Sequence, residues 1–173
     1  MSAPAQPKYL FFFGEKNENG FLSNFFEGTP FVIDKVTYKT SEHFFMATKA
    51  LQWETPKNKE LFKLIINSST PKEAKALGRK VENYDDKEWA TIRFDVMVAG
   101  LRNKFSQNPK YKQELISTGN KILVEASPYD AIWGIGMTVN KVYKLSSQEL
   151  DDILEQRNHL GKALMKVRDE LNH

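Results

Sequence analysis

Cysteine is absent from this 173-residue chain, which removes disulfides, thiolate nucleophiles and cysteine-based metal sites and is compatible with a reducing compartment. Histidine is scarce. His43, His159 and His173 lie far apart, and none has the close spacing of a zinc-binding helix motif, so no metal is expected. No GxSxG elbow occurs, and without cysteine the nucleophilic triads find little support. The lack of a P-loop argues against an ordinary nucleotide triphosphatase. No apolar run approaches the length of a membrane span, and Met1 to Lys8 lacks the apolar centre of a signal peptide. A soluble cytoplasmic protein with no membrane contact is expected. The net charge of +3 comes from charges spread along the chain, which allows anionic ligands without indicating a dedicated nucleic-acid module.

What is present reads as one mainly helical domain over residues 1–173 with a small β component, an α+β arrangement whose first eight residues are expected to be flexible. Tyr9 to Phe13 is an aromatic run short enough for a buried strand, ended by Gly14 and a polar turn. The segment from Gly20 to Phe26 reads as a loop in which Ser23 and Asn24 offer hydrogen bonds. Phe31-Val32-Ile33 and Val36-Thr37-Tyr38, separated by Asp34-Lys35, form a small hairpin feeding a helix capped by Ser41. Helices follow from Asn58 to Ile66 and from Thr70-Pro71-Lys72-Glu73, where a capping box joins a proline at the first helical position. Asp85 or Asp86 opens the helix of Trp89, and Asn108-Pro109 opens another that Gly119 stops before the strand Ile122-Leu123-Val124-Glu125. Ser146 and Glu149 cap one last helix whose apolar face runs through Leu150, Ile153, Leu154, Leu160, Leu164, Val167 and Leu171. The longest connection without expected structure spans Gly134 to Ser147.

Three segments mix charge into apolar surface. In the first helix, Glu42, Phe45, Met46 and Lys49 share one stripe with a charge at each end. From this helix alone, a carboxylate stabilising the positive helix end, with a lysine reaching solvent, accounts for the pattern better than a reactive pair does. In the helix of Trp89, Ile92, Val96, Met97, Gly100, Leu101 and Phe105, Arg93 points a guanidinium into the core-facing stripe. Either an ion pair with Glu42, Glu125 or Asp130 or an anionic ligand satisfies it. The third segment runs from Glu125 through Asp130 to Trp133-Gly134-Ile135-Gly136. Two carboxylates flank a proline turn, and an indole precedes glycines that let a ligand approach the backbone. The glycines are too few for a dinucleotide fingerprint. Acids at Glu42, Glu125 and Asp130, cations at Lys49, Arg79 and Arg93, and flat surfaces at Trp89 and Trp133 suit a phosphorylated ribosyl compound that gains positive charge at its anomeric carbon.

These pieces, with Gly20-Phe21-Leu22-Ser23-Asn24-Phe25, Gly78-Arg79, Lys104-Phe105, Thr118-Gly119 and Asn158-x-Leu160-Gly161, resemble in order the YbiA-like NADAR domain family, associated with NAD and ADP-ribose derivatives. The resemblance covers nearly the whole chain. It implies a mostly helical fold and an N-glycosidase that needs no cofactor. The implied substrates are riboflavin-pathway aminopyrimidine ribosyl phosphates or ADP-ribosylated guanine in DNA or RNA. It makes Glu42 the leading catalytic residue, with Asp130, Trp89, Arg93, Lys49, Ser23 and Asn24 lining the same pocket and Trp133, Gly134 and Asn158 close by. On this basis the substrate base is expected against Trp89 or Trp133, with phosphate at Arg93 and Arg79. Lys49 permits a variant through a Schiff base with the opened sugar. A non-catalytic module binding ADP-ribose or modified nucleic acid, or a domain whose charges close ion pairs, remains an alternative. Two departures mark this chain: Gln156-Arg157 precedes Asn158 where members often have Gly-Gln, and Arg93 stands where some carry lysine.

Overall fold

The computed structural model describes residues 8–173, so the expected flexibility of the first eight residues falls outside it at all but Lys8. Its frame is a pair of parallel strands far apart in sequence. β1 (Tyr9–Phe12) pairs with β4 (Ile122–Glu125) in the register Tyr9↔Ile122 to Phe12↔Glu125. Parallel strands need a long crossover, and here it contains a hairpin and five helices. Leu123 faces the main core while Val124 joins a smaller cluster with Ile135, Val142 and Leu150, following the two-fold alternation of a strand. The hairpin forms as expected from β2 (Phe31–Ile33) and β3 (Val36–Tyr38). Asp34 and Lys35 both adopt positive φ, at 49° and 68°, the combination that lets a two-residue turn match the twist of its strands.

α1 (Ser41–Ala50) is buried along most of its length, and α2 (Pro56–Asn67), α3 (Pro71–Gly78) and α4 (Asp86–Ser106) pack around it. Its N-cap is Thr40 rather than Ser41: Thr40 Oγ1 accepts the His43 N–H at 3.2 Å, and the Ser41 hydroxyl instead donates to Asn24 Oδ1 at 2.7 Å. α2 starts earlier than the apolar pattern indicates, because Thr55 caps it and Pro56 occupies the first helical position. At α3, Thr70 Oγ1 accepts the Glu73 N–H, but the Glu73 carboxylate reaches back to Ser69 N–H at 2.8 Å, one residue before the expected partner. α4 begins at its cap Asp85. α5 (Pro109–Ser117) ends as foreseen at Gly119, whose φ of +62° reverses the chain into β4. A single helical turn, α6 (Val139–Val142), lies within the connection expected to be unstructured.

The largest departure is at the C-terminal helix, which is two helices, α7 (Ser147–Gln156) and α8 (His159–Leu171). The capping box at Ser146 forms as expected, but the apolar stripe is interrupted where Asn158 turns left-handed with φ of 64°. That conformation is unfavourable for a residue with a side chain. Here the side chain offsets it, because Asn158 Nδ2 donates to Leu123 O at 2.9 Å and Oδ1 accepts the Glu125 N–H at 3.0 Å. The edge of β4 facing away from β1 is thereby closed by an amide instead of a third strand. The N–H groups of Asn158, His159 and Leu160 then donate to the carbonyls of Gly134, Ile132 and Trp133. A Cβ on Gly161 would strike Leu123 O, so the helix approaches the strand this closely only because that residue is glycine.

Asn158→Ala leaves a buried donor and a buried acceptor without partners. Urea denaturation is expected to show a loss of about 3 kcal/mol with an unchanged slope.

Candidate active site

The first turn of α1 meets the loop at residues 23–25 and fixes one side of a cleft. Asn24 O accepts the Glu42 N–H at 3.1 Å, Asn24 Oδ1 accepts from Ser41, and Ser23 Oγ accepts the Phe25 N–H at 3.1 Å. Beneath this loop lies Lys104, a fully buried lysine of α4 whose Nζ donates to Ser23 O at 3.0 Å. Burial alone pushes its amine down to about 7. The opposite side is the turn after β4. Asp130 Oδ1 accepts the N–H groups of Ile132 and Trp133, both at 2.8 Å, and thereby aims Trp133 into the cleft.

Two connected lobes result. The smaller, about 270 Å³, is lined by Glu42, Lys49, Trp89, Arg93 and Trp133 among others. The larger, about 570 Å³, extends past Phe13, Ser127 and Tyr129. Ser23, Phe25, Lys75, Glu125 and Asp130 border both.

Glu42 is 7% exposed, and no described group donates a hydrogen bond to its carboxyl. Burial pushes that carboxyl up to about 7; Lys75 opposes the rise, Asp130 adds to it, and Lys49 and Arg79 oppose it further. Burial likewise pushes Glu125 up to about 8, assisted by Asp130 and Glu42. Lys49 makes no ion pair with Glu42 within 4 Å. Its Nζ donates to Gly78 O at 3.0 Å and sits 4.5 Å from the centre of the Tyr84 ring, with its amine lowered chiefly by burial. Arg93 pairs with none of the acids that spacing nominated. Its Nη1 lies 3.9 Å from Asp86 Oδ1, seven residues earlier on the same helix, where that side chain is 73% exposed.

The aromatic wall also differs from the simplest expectation. Phe45 is wedged between the two indoles, 5.2 Å from each ring centre, and Trp89 is only 3% exposed. Trp89 therefore shapes the wall without offering a face for stacking, whereas Trp133 stays partly open.

Of the residues nominated from the sequence, Ser23, Asn24, Glu42, Lys49, Trp89, Arg93, Asp130 and Trp133 come together at the smaller lobe. Arg79, Gly134 and Asn158 do not line it. Arg79 is exposed past the end of α3, and Asn158 is spent on the β4 edge. At Gly134 a Cβ would come within 3.0 Å of Glu125 O and Asp130 O, so this glycine serves chain packing. Arg157, one of the departures noted above, donates to Ile135 O at 2.8 Å and braces the same loop. Sequence reasoning missed Lys75, Tyr84 and Asp86. A signal for Lys75 existed in the spacing of Lys72, Lys75 and Arg79, which puts three cations on one side of α3. Nothing local distinguishes Tyr84 or Asp86. Among the described residues no group of three or more histidine or acidic side chains could hold a metal, and no helix is long and apolar enough to cross a membrane.

In a mainly α domain of α+β type, desolvated carboxyls set among amines and a guanidinium in one cleft are the marks of a small-ligand site with acid–base groups. The NADAR domain model matches residues 11–172, and the chain belongs to the NADAR domain family. An N-glycosidase of Acanthamoeba polyphaga mimivirus is 39% identical over 174 residues, spanning 94% of this chain and 96% of that protein. A riboflavin biosynthesis protein of Vibrio vulnificus is 30% identical over 167 residues, covering 96% of this chain but 39% of that larger protein. The NMR structure of E. coli YbiA superposes with a TM-score of 0.73 at 30% identity, over 96% of this chain and 86% of that one.

The environment of Glu42 has a cost for stability. Below about pH 4.5 the carboxyl is protonated folded or unfolded. Between 4.5 and about 7 the folded protein keeps the proton that the unfolded chain releases, so this group's contribution falls as pH rises and levels off above. Glu42→Gln removes the charge, and is expected to stabilise the protein at pH 8 by on the order of 3 kcal/mol while leaving it unchanged at pH 4. Thermal melts at the two pH values check this.

Proposed function

We propose that the protein is an N-glycosidase, a hydrolase that cleaves the bond between ribose and a base or amine in phosphorylated ribosyl or ADP-ribosyl compounds. The observation that carries the reading is the Glu42 carboxyl, desolvated, unengaged by any described donor and turned to a cleft rimmed with cations. As the C–N bond stretches, positive charge grows on the ribose ring. A carboxylate in a site of low polarity stabilises it and takes a proton from the attacking water. With its carboxyl near 7, Glu42 exchanges protons readily at neutral pH.

The other groups divide the binding work. An ion pair as long and exposed as Arg93 with Asp86 contributes little, so the guanidinium is free to take a phosphate oxygen of the substrate. Phe45 and Trp133 supply the apolar wall beside the sugar. Asp130 orients Trp133 and borders the water's approach. Lys49, held at Gly78 O and over Tyr84, favours the ionised form of Glu42. In that role its amine acts as a charge, which favours direct hydrolysis over a Schiff base. Relatives named as N-glycosidases and as a riboflavin biosynthesis protein support aminopyrimidine ribosyl phosphates as one substrate class. ADP-ribosylated guanine in DNA or RNA is the second, with the cytoplasm as the place of action.

Incubation with each substrate and chromatography of the products tests this. The parent protein is expected to release free base or amine from one of them, and Glu42→Gln to lower kcat by roughly 100-fold or more with binding retained. Equal binding by both proteins without turnover by either would instead mark a binding module. Borohydride added during turnover is expected to leave no adduct on Lys49; a stable adduct there would select the Schiff-base route.

A further inference from the structure

Breaking a C–N bond strands an electron pair on nitrogen, and a heterocyclic or amine nitrogen departs poorly unless a proton reaches it. The N-glycosidase reading, on which this inference rests, gives Glu42 the sugar side and leaves the proton donor unassigned. Asp130 is a poor candidate, because its Oδ1 is taken up by two backbone N–H groups.

Glu125 is placed differently. It ends β4, where Asn158 Oδ1 holds its N–H at 3.0 Å and Ile135 N–H holds its carbonyl at 3.0 Å. The backbone is thus fixed on the side away from β1, while no described group donates to the carboxyl, which borders both lobes. The larger lobe beside it has an aromatic platform of its own, apart from the Phe45–Trp133 wall of the smaller. Phe13 and Tyr129 lie 6.1 Å apart with an interplanar angle of 49°, and Tyr129 is 88% exposed. Exposed aromatics beside a cleft are stacking surfaces for a planar ring.

We propose that the larger lobe receives the departing base, a planar nitrogen heterocycle lying against Phe13 and Tyr129, and that Glu125 is the acid that protonates it. The C1′–N bond breaks with its electron pair passing to nitrogen, and the Glu125 proton joins that nitrogen, leaving Glu125 ionised. The oxygen of one water bonds to C1′, and the proton it sheds goes to the Glu42 carboxylate. The products are the free base and a ribose hydroxylated at C1′. Return of the Glu42 proton to Glu125 through solvent restores the starting state.

The charges facing Glu125 agree with this division. Asp130 and Glu42 hold its proton on, Lys75 opposes them, and burial dominates, so Glu125 titrates near 8 and Glu42 near 7. Burial of both carboxyls, with Asp130 facing each, keeps a proton in this part of the cleft at neutral pH, and it is the place of Glu125 beside the aromatic platform that assigns this proton to the leaving group.

The experiment compares parent protein and Glu125→Gln on an aminopyrimidine ribosyl phosphate and on 4-nitrophenyl riboside 5′-phosphate, whose phenolate departs without a proton. Glu125→Gln is expected to lower kcat on the first substrate by about 100-fold and on the second by less than about three-fold. The fall of the parent's kcat/KM above about pH 8 is expected to vanish in the variant. Tyr129→Ala is expected to raise KM for the aminopyrimidine substrate about five-fold with kcat nearly unchanged. An equal loss on both substrates, or a basic limb that persists in Glu125→Gln, overturns the assignment while leaving the glycosidase reading intact. A parent protein inactive on these and on ADP-ribosylated guanine overturns that reading and the inference with it. Where ADP-ribosylated guanine alone is cleaved, it replaces the aminopyrimidine in the comparison, and a Glu125→Gln loss well short of about 100-fold overturns the assignment.

Discussion

The side-chain amide of Asn158 is the contact on which the remaining structure depends. A two-stranded parallel sheet has two open edges, and unpaired backbone groups buried at either are costly. Asn158 supplies the outer edge of β4 with a donor and an acceptor, and its left-handed turn aims the first N–H groups of α8 at the carbonyls of residues 132–134. The chain carrying Asp130 and Trp133 is therefore locked to the same point that fixes Glu125. A helix N-terminus that elsewhere offers free donors to an anion is here consumed by loop carbonyls. The proposed reading therefore gives anion binding to Arg93 and to the lysines.

The acids in the cleft are held against their preference. Burial raises both Glu42 and Glu125, Asp130 adds to both, and Glu42 makes Glu125 harder still to ionise. Structural carboxylates in stable proteins are usually paired or solvated, and these are neither. Such an arrangement persists only where the surrounding fold supplies the stability, and α1, enclosed by three helices, does so. The cations stand back from the carboxyls instead of closing ion pairs with them, which keeps the carboxyls available to a ligand.

Much of this was legible in the sequence where a local physical signal existed. Proline after threonine marked the start of α3, glycine at 119 the end of α5, and two short β-branched runs about Asp34-Lys35 the hairpin. The same threonine–proline signal at Thr55-Pro56 went unused, and the apolar pattern starts α2 late, at Asn58. The stripe of Glu42 and Lys49 and the segment after Glu125 were recognisable as chemistry because charge interrupted an apolar period. What escaped was set by tertiary contact. The apolar face from Leu150 to Leu171 keeps helical spacing across the break at Asn158, and no glycine or proline announces it; only the exposed edge of a strand more than thirty residues away explains that turn. The partner of Arg93 was sought among acids on other elements and is an aspartate two turns back on its own helix. Lys75 and Tyr84 reach the cleft because α3 and the segment before α4 fold against α1, which no single segment encodes.

The pairing of β1 with β4 also fixes an order of events. A strand near the start of the chain has no partner until a strand beyond residue 120 has formed and been covered by α8. Closing a loop of that length is slow compared with making the local helix contacts of α1 to α5. The helical contacts are then expected to form first and the larger lobe to be completed last, when β1 docks and brings Phe13 to Tyr129. The wall that Phe13 and Tyr129 form thus joins the first described strand to the turn after the last, and its presence reports that the long crossover between them has closed.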